Sequence, residues 1–169
     1  YVGRWSAIKE GIDGEMTLTL WGLWDGKYAA GPHSLDGTQD IINKRDNYEP
    51  PDMVWGFNNP GPADYVGLTI KRRGDTDGNF AEGFDVDVWT HIAVTMNGTD
   101  MTLYKNGVNT ETLPYEYGTG YNAMIYMGSA ANSPVASYRE VDAFNGALDD
   151  VRFYSRVLTD AEVLSIYEG

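Results

Sequence analysis

One carboxylate stands out among the residues of this sequence that could do chemistry. Asp149 alternates with Val151 and Phe153, so a regular strand that buries those two would also turn the carboxylate toward the core. Burying a carboxylate is costly unless it is paired, hydrogen-bonded or bound to a metal, and calcium prefers such hard oxygen ligands. A calcium ligand and an acceptor of backbone N–H bonds are therefore both open for Asp149.

The histidines point less clearly to chemistry. His91 alternates with Trp89 and Ala93 in a predicted strand, which is typical of a hydrogen-bonded structural histidine. His33 stands alone in a loop-like segment. Two histidines without cysteine make a zinc site improbable, and no Ser/His/Asp motif accompanies them.

Aromatic residues make up 13% of the 169 residues, enough to supply both a core and a ligand platform. Sugar rings stack their apolar C–H faces on Trp and Tyr, while their hydroxyls bind a few polar groups. From the rings in or next to predicted loops, we expect four to contact a ligand: Trp24, Tyr28, Trp55 and Tyr138. For each of them the alternative role is to pin a loop onto the domain.

Composition excludes several classes of protein. A net charge of −13 repels nucleic-acid backbones, and no apolar run is long enough to span a membrane. The absence of cysteine rules out a disulfide scaffold and a thiolate nucleophile. The apolar and aromatic content rules out disorder for most of the chain.

Alternating segments separated by turn residues predict mainly strands. The expected strands lie within residues 15–24, 40–43, 53–57, 65–71, 88–96, 101–105, 108–113, 123–128 and 147–154, and 74–79 is expected to be a turn. Asn97-Gly98 and Asn106-Gly107 separate three of these strands, and each predicts a hairpin with positive φ at both residues. An antiparallel meander is therefore expected over residues 88–113.

One helix is predicted, over residues 160–167. Thr159 and Glu162 have the spacing of a capping box, and Leu158 can pack on Val163 as a hydrophobic staple. Many short strands with a single helix predict an all-β fold. We expect one domain over residues 1–169, a β-sandwich jelly roll of two antiparallel sheets with one short C-terminal helix. We interpret it as a module of a larger protein.

Three segments, in order, resemble the laminin-G-like, concanavalin A-like jelly-roll family of bacterial extracellular proteins. They are Met16-Thr-Leu-Thr-Leu-Trp21, then Trp89-Thr-His-Ile-Ala-Val94 with Met101-Thr-Leu-Tyr-Lys-Asn-Gly107, and finally Phe144-Asn-Gly-Ala-Leu-Asp-Asp-Val-Arg-Phe-Tyr154. The resemblance implies a lectin-like fold, often with one structural calcium. It places the calcium ligand on Asp149, with Asn145 and Gly146 beside it.

The resemblance also implies a function. We expect a secreted or cell-surface carbohydrate-binding module that targets a polysaccharide-active enzyme or adhesin to glycans, covalently linked to neighbouring domains. The alternative is a structural or protein-adhesion module without a sugar site. A hydrolase is disfavoured: Glu140-Val-Asp142 is similar to the catalytic strand of laminarinase-type enzymes, but Asn145 stands where their general acid would be.

Overall fold

The computed structural model describes residues 3–4, 15–27, 39–45, 53–59, 69–72, 74–114, 124–128 and 143–169. These contain eleven strands and one helix. The elements are β1 (Gly3–Arg4), β2 (Met16–Trp24), β3 (Gln39–Arg45), β4 (Met53–Asn59), β5 (Thr69–Arg72), β6 (Gly74–Asn79), β7 (Trp89–Met96), β8 (Asp100–Lys105), β9 (Val108–Pro114), β10 (Met124–Met127), β11 (Gly146–Tyr154) and α1 (Asp160–Glu168).

Two antiparallel sheets face each other, which confirms the predicted sandwich. The six-stranded sheet has the order β1-β10-β3-β4-β5-β6, and the five-stranded sheet has the order β11-β2-β7-β8-β9. The core lies between them, because Ile42 and Ile125 of the first sheet share one buried cluster with Leu18, Ile92 and Leu103 of the second.

The meander β7-β8-β9 is confirmed, but its two turns differ. Asn106 and Gly107 have φ of 51° and 79°, as the predicted two-residue turn requires. At the first turn only Gly98 has positive φ. Asn97 instead uses its side-chain oxygen to accept the backbone N–H of Asp100 at 2.7 Å, so expecting positive φ at both residues was wrong there.

The predicted capping box of α1 is present, and the helix packs on the outer face of the five-stranded sheet. Leu158 and Val163 are buried there with Ala93 and Tyr104. Thr17 on β2 fixes the entry to the helix, since its hydroxyl accepts the Leu158 N–H at 2.9 Å.

One predicted turn is a strand. Residues 74–79 form β6 at the edge of the six-stranded sheet, where Asn79 pairs with Thr69. Glycine and aspartate are unfavourable in strands, but an edge position pairs only one side of the backbone and tolerates them.

Candidate functional site

The face of the six-stranded sheet away from the core carries two rows of mostly polar residues. Register places Asp40, Asn58, Thr69 and Asn79 in the first polar row, across β3 to β6. It places Tyr126, Asn43, Gly56 and Lys71 in the second polar row, across β10 and β3 to β5. The intervening row, Met127, Ile42, Phe57 and Ile70, is apolar and includes the fully buried Ile42. At these positions the apolar row faces the core and the two polar rows lie on the opposite side of the sheet.

A β-bulge brings the two polar rows onto the same face. The register shifts between Asp40 and Ile42, so Asp40 pairs with Asn58 and Asn43 pairs with Gly56. Since Asn58 and Gly56 are two positions apart on β4, both lie on one side of the pleat. Without the extra residue, Asp40 would share the core-facing side with Ile42.

The polar face is covered at β3 and exposed at the β6 edge. Asp40 and Asn43 are 1% and 0% exposed, whereas Asn79 at the β6 edge is exposed. Among the described residues, neither amide atom of Asn43 has a hydrogen-bond partner. Buried polar groups are normally paired, so this amide has capacity left for an internal water.

The structure corrects the placement of Trp24. Its ring is only 8% exposed and belongs to the core cluster, because it ends a strand whose even-numbered residues face inward. A ring so deeply packed offers no face to a sugar, and the ligand contact expected of Trp24 was wrong.

For the other three residues expected to contact a ligand, the structure gives strand pairing or no description. Trp55 lies within β4, where it pairs with Lys44 and Arg72 and has the same parity as Phe57. Tyr28 and Tyr138 lie outside the described residues. Their roles in ligand contact stay predictions.

Asn145 and Gly146, two of the residues expected to hold calcium, make other contacts. The side-chain amide of Asn145 donates to the Lys27 carbonyl at 3.0 Å, and Gly146 pairs with Trp24. A Cβ on Gly146 would come within 1.9 Å of the Leu23 carbonyl oxygen, so glycine is needed there for close strand packing.

Asp149 does not face the core, and the reason is a second β-bulge. The register of β11 shifts between Asp149 and Arg152, with Asp150 at a φ of 46°. The extra residue reverses the alternation, so Leu148 packs on the core and Asp149 is exposed. Its carboxylate accepts the Asp150 N–H at 2.8 Å, the alternative role that the sequence left open.

These three residues do not fit one calcium ion. Asn145 lies four positions before Asp149, so their Cα atoms are about 13 Å apart at the usual rise of a strand. Ligand atoms of one calcium lie about 2.3–2.6 Å from it, hence within about 5 Å of each other. No group of three acidic or histidine side chains that could hold a metal occurs among the described residues. A calcium requirement stays a prediction, without this ligand set.

His91 is structural, but it is not hydrogen-bonded as expected. It is 1% exposed, and neither ring nitrogen has a hydrogen-bond partner in the part of the chain that the structure describes. Its ring lies 5.3 Å from that of Trp21 and 5.9 Å from that of Tyr167. Burial lowers the pKa of His91 to about 4, the nearby Asp150 carboxylate opposes this, and Arg152 adds to it. Because it is buried between these two rings, the imidazole is out of reach of a substrate.

These features agree with the match of residues 11–164 to the laminin G model described as the concanavalin A-like lectin/glucanases superfamily. The chain belongs to this superfamily. None of the described helices is long and apolar enough to cross a membrane.

Solved structures with the same fold include carbohydrate-binding modules. A module of the Ruminococcus gnavus IT-sialidase, bound to α2,3-sialyllactose, superposes with a TM-score of 0.64 and 16% identity, covering 90% of this chain and 82% of the other. Domain 4 of the Geobacillus stearothermophilus arabinanase AbnA, in complex with arabinotriose, superposes with a TM-score of 0.63 and 18% identity. The match covers 90% of this chain and 66% of the other. A pentraxin of Limulus polyphemus superposes with a TM-score of 0.63 and 14% identity, and the match covers 90% of this chain and 69% of the other.

Human usherin is similar in sequence, at 26% identity over 84 residues. The aligned part is 50% of this chain and 2% of usherin, so the chain spans a very small part of that relative.

Proposed function

We propose that this chain is a non-catalytic glycan-binding module of a secreted or cell-surface protein. The two polar rows carry this proposal, because they place amide, hydroxyl and charged residues on the side of the sheet away from the core, which is exposed at Asn79 on the β6 edge. Such groups match sugar hydroxyls, which both donate and accept hydrogen bonds. Structures of the same fold that hold sialyllactose and arabinotriose support the ligand class.

The module would act by positioning. It would hold a covalently linked enzyme or adhesive domain on a glycan, with modest affinity per site that several sites raise through effective concentration. The catalytic alternative rests on Glu140 and Asp142, which lie outside the described residues, and would need a general acid in place of Asn145, whose side-chain amide donates to a backbone carbonyl.

The test is binding to a panel of plant and marine-algal polysaccharides, first with calcium and then with EDTA. Asn58→Ala and Lys71→Ala each remove one group from a polar row. Each is expected to weaken binding by about 3- to 10-fold, the worth of one hydrogen bond. Asn109→Ala is the matched control, because Asn109 is an exposed residue of β9 in the other sheet.

Three outcomes would contradict the proposal. Binding that survives both polar-row variants unchanged would move the site away from this face. Failure to bind any glycan, together with self-association, would favour the structural or protein-adhesion module. Release of reducing ends or unsaturated products would make the chain an enzyme. Trp55→Ala is measured in parallel, with its melting temperature, to separate a ligand contact from a packing role.

A further inference from the structure

The helix-bearing face of the five-stranded sheet carries an aromatic surface, separate from the two polar rows of the other sheet. Ala147, Leu23 and Trp89 pair in one row across β11, β2 and β7. Parity places this row on the same outer face as Trp21 and His91, which form the next row inward. We call Ala147, Leu23 and Trp89 the Trp89 shelf.

Helix α1 ends beside this shelf. Tyr167 in its last turn stacks on Trp21, with ring centroids 5.7 Å apart and planes at 28°. The next row outward is more open: Trp89 is 44% exposed and Ala147 is exposed. The shelf is thus an indole at the surface, beside an aromatic wall made by Trp21 and Tyr167.

We propose that the Trp89 shelf is a second glycan subsite, which stacks one uncharged pyranose ring on the indole of Trp89. Apolar C–H faces of sugars fit an exposed indole, and the neighbouring wall would limit how the ring lies. For its ligand class this inference rests on the proposed function, but it concerns a different sheet and face.

Size argues against a protein as the occupant. A stable protein interface takes roughly 20–30 residues on each side, whereas the shelf has three residues, and the exposed Val86 and Val88 that precede Trp89 bring this apolar surface to five. Charge argues against an acidic sugar and against a second copy of this chain. The net charge is −13, and Asp87 and Asp149 are exposed carboxylates near the two ends of the surface.

The experiment titrates the whole chain with neutral hexasaccharides of glucose, xylose, mannose and N-acetylglucosamine, and with polygalacturonate as the anionic comparison. Trp89→Ala is expected to weaken binding of a neutral hexasaccharide by about 10-fold or more, and Trp89→Phe to retain most of it. Val108→Ala is the matched apolar control. Val108 is 61% exposed but pairs with Lys105, opposite the buried Ile92, and so lies off the shelf's face.

The variants separate this inference from the proposed function. Loss of binding in Trp89→Ala but not in Asn58→Ala supports the shelf alone. Loss in Asn58→Ala with wild-type affinity in Trp89→Ala overturns the shelf and leaves the polar face standing. Two further results overturn the proposal of a sugar subsite at the shelf: failure of all four neutral probes to bind the wild type, or dissociation of a wild-type oligomer by Trp89→Ala. The polysaccharide panel tests the glycan-binding module independently of either result.

Discussion

The ring of Tyr167, in the last turn of α1, stacks at 5.7 Å on the ring of Trp21 from the early strand β2. The stack closes over His91, whose ring contacts both. An imidazole is thereby sealed away from water by two elements distant in sequence. Its protonation is consequently tied to the docking of the helix.

Acid should destabilise this protein through His91. Its folded pKa of about 4 lies below the unfolded value of 6.5, so the unfolded state binds the extra proton between those values. Stability is therefore full above pH 6.5, falls as the pH drops, and levels off below about 4. The expected loss from this group is about 2 kcal/mol between pH 7 and pH 5, measured by urea denaturation.

His91→Leu is the control for this pH dependence. Leucine cannot be protonated and leaves no buried polar group, so the variant should lose less stability than the wild type between pH 7 and pH 5. Equal losses in the two proteins would show that other groups carry the acid sensitivity.

The cap of α1 should matter measurably. Thr159 accepts the Glu162 N–H at 3.3 Å, and the Glu162 carboxylate accepts the Thr159 N–H at 2.9 Å. Thr159→Ala removes the capping hydroxyl and should cost about 1 kcal/mol, or about 2–4 °C in melting temperature. Thr159→Asp retains an acceptor and should recover most of this. An unchanged melting temperature for the alanine variant would show that the helix end does not limit stability.

Features set by neighbouring residues were predictable from the sequence. The capping box of Thr159 and Glu162, the Asn106-Gly107 turn and the strands around it follow from local backbone preferences. The two polar rows could not be predicted, because they depend on which strands pair and in what register. A signal was present in the polar residues of 39–45 and 53–59, but without the bulge beside Asp40 their faces cannot be assigned.

Asp149 is a second residue whose face could not be assigned from the sequence because of a bulge. Regular alternation predicted it on the core side with Val151, and one bulged residue, Asp150, reversed that. Aspartate at positive φ gives a weaker signal than glycine, so nothing in the local sequence identified the bulge. The prediction that Trp24 contacts a ligand was wrong for a different reason. Its strand was correctly predicted, but the burial of its ring depends on the opposing sheet.

Gly107 should be needed for docking of the helix as well as for its turn. A Cβ there would lie 2.9 Å from Leu164 and 3.1 Å from Tyr167, whereas a Cβ on Gly128 would meet no atom of the described residues within 4 Å. Both glycines have similar positive φ, so alanine costs each about 1–2 kcal/mol for the backbone.

Gly107→Ala should therefore be about 1 kcal/mol more destabilising than Gly128→Ala in urea denaturation, because only it displaces packed side chains. Equal effects would mean that the helix adjusts without cost.

Removal of calcium tests the revised position of Asp149. Since its carboxylate is exposed and separated from Asn145, Asp149→Asn should leave any effect of EDTA on melting temperature or glycan binding unchanged. Loss of a wild-type EDTA effect in this variant alone would restore Asp149 as a calcium ligand. Thermal melts with and without EDTA decide it.

The hydrogen bond from Leu158 to Thr17 joins residues 141 positions apart. Strand β2 takes one partner from β7 and the other from β11, so neither edge of this strand is paired until distant parts of the chain meet. Closing such long loops is slow, whereas the meander β7-β8-β9 needs only short ones. Folding kinetics should thus begin in the meander, and the attachment of β11 and the helix should come last.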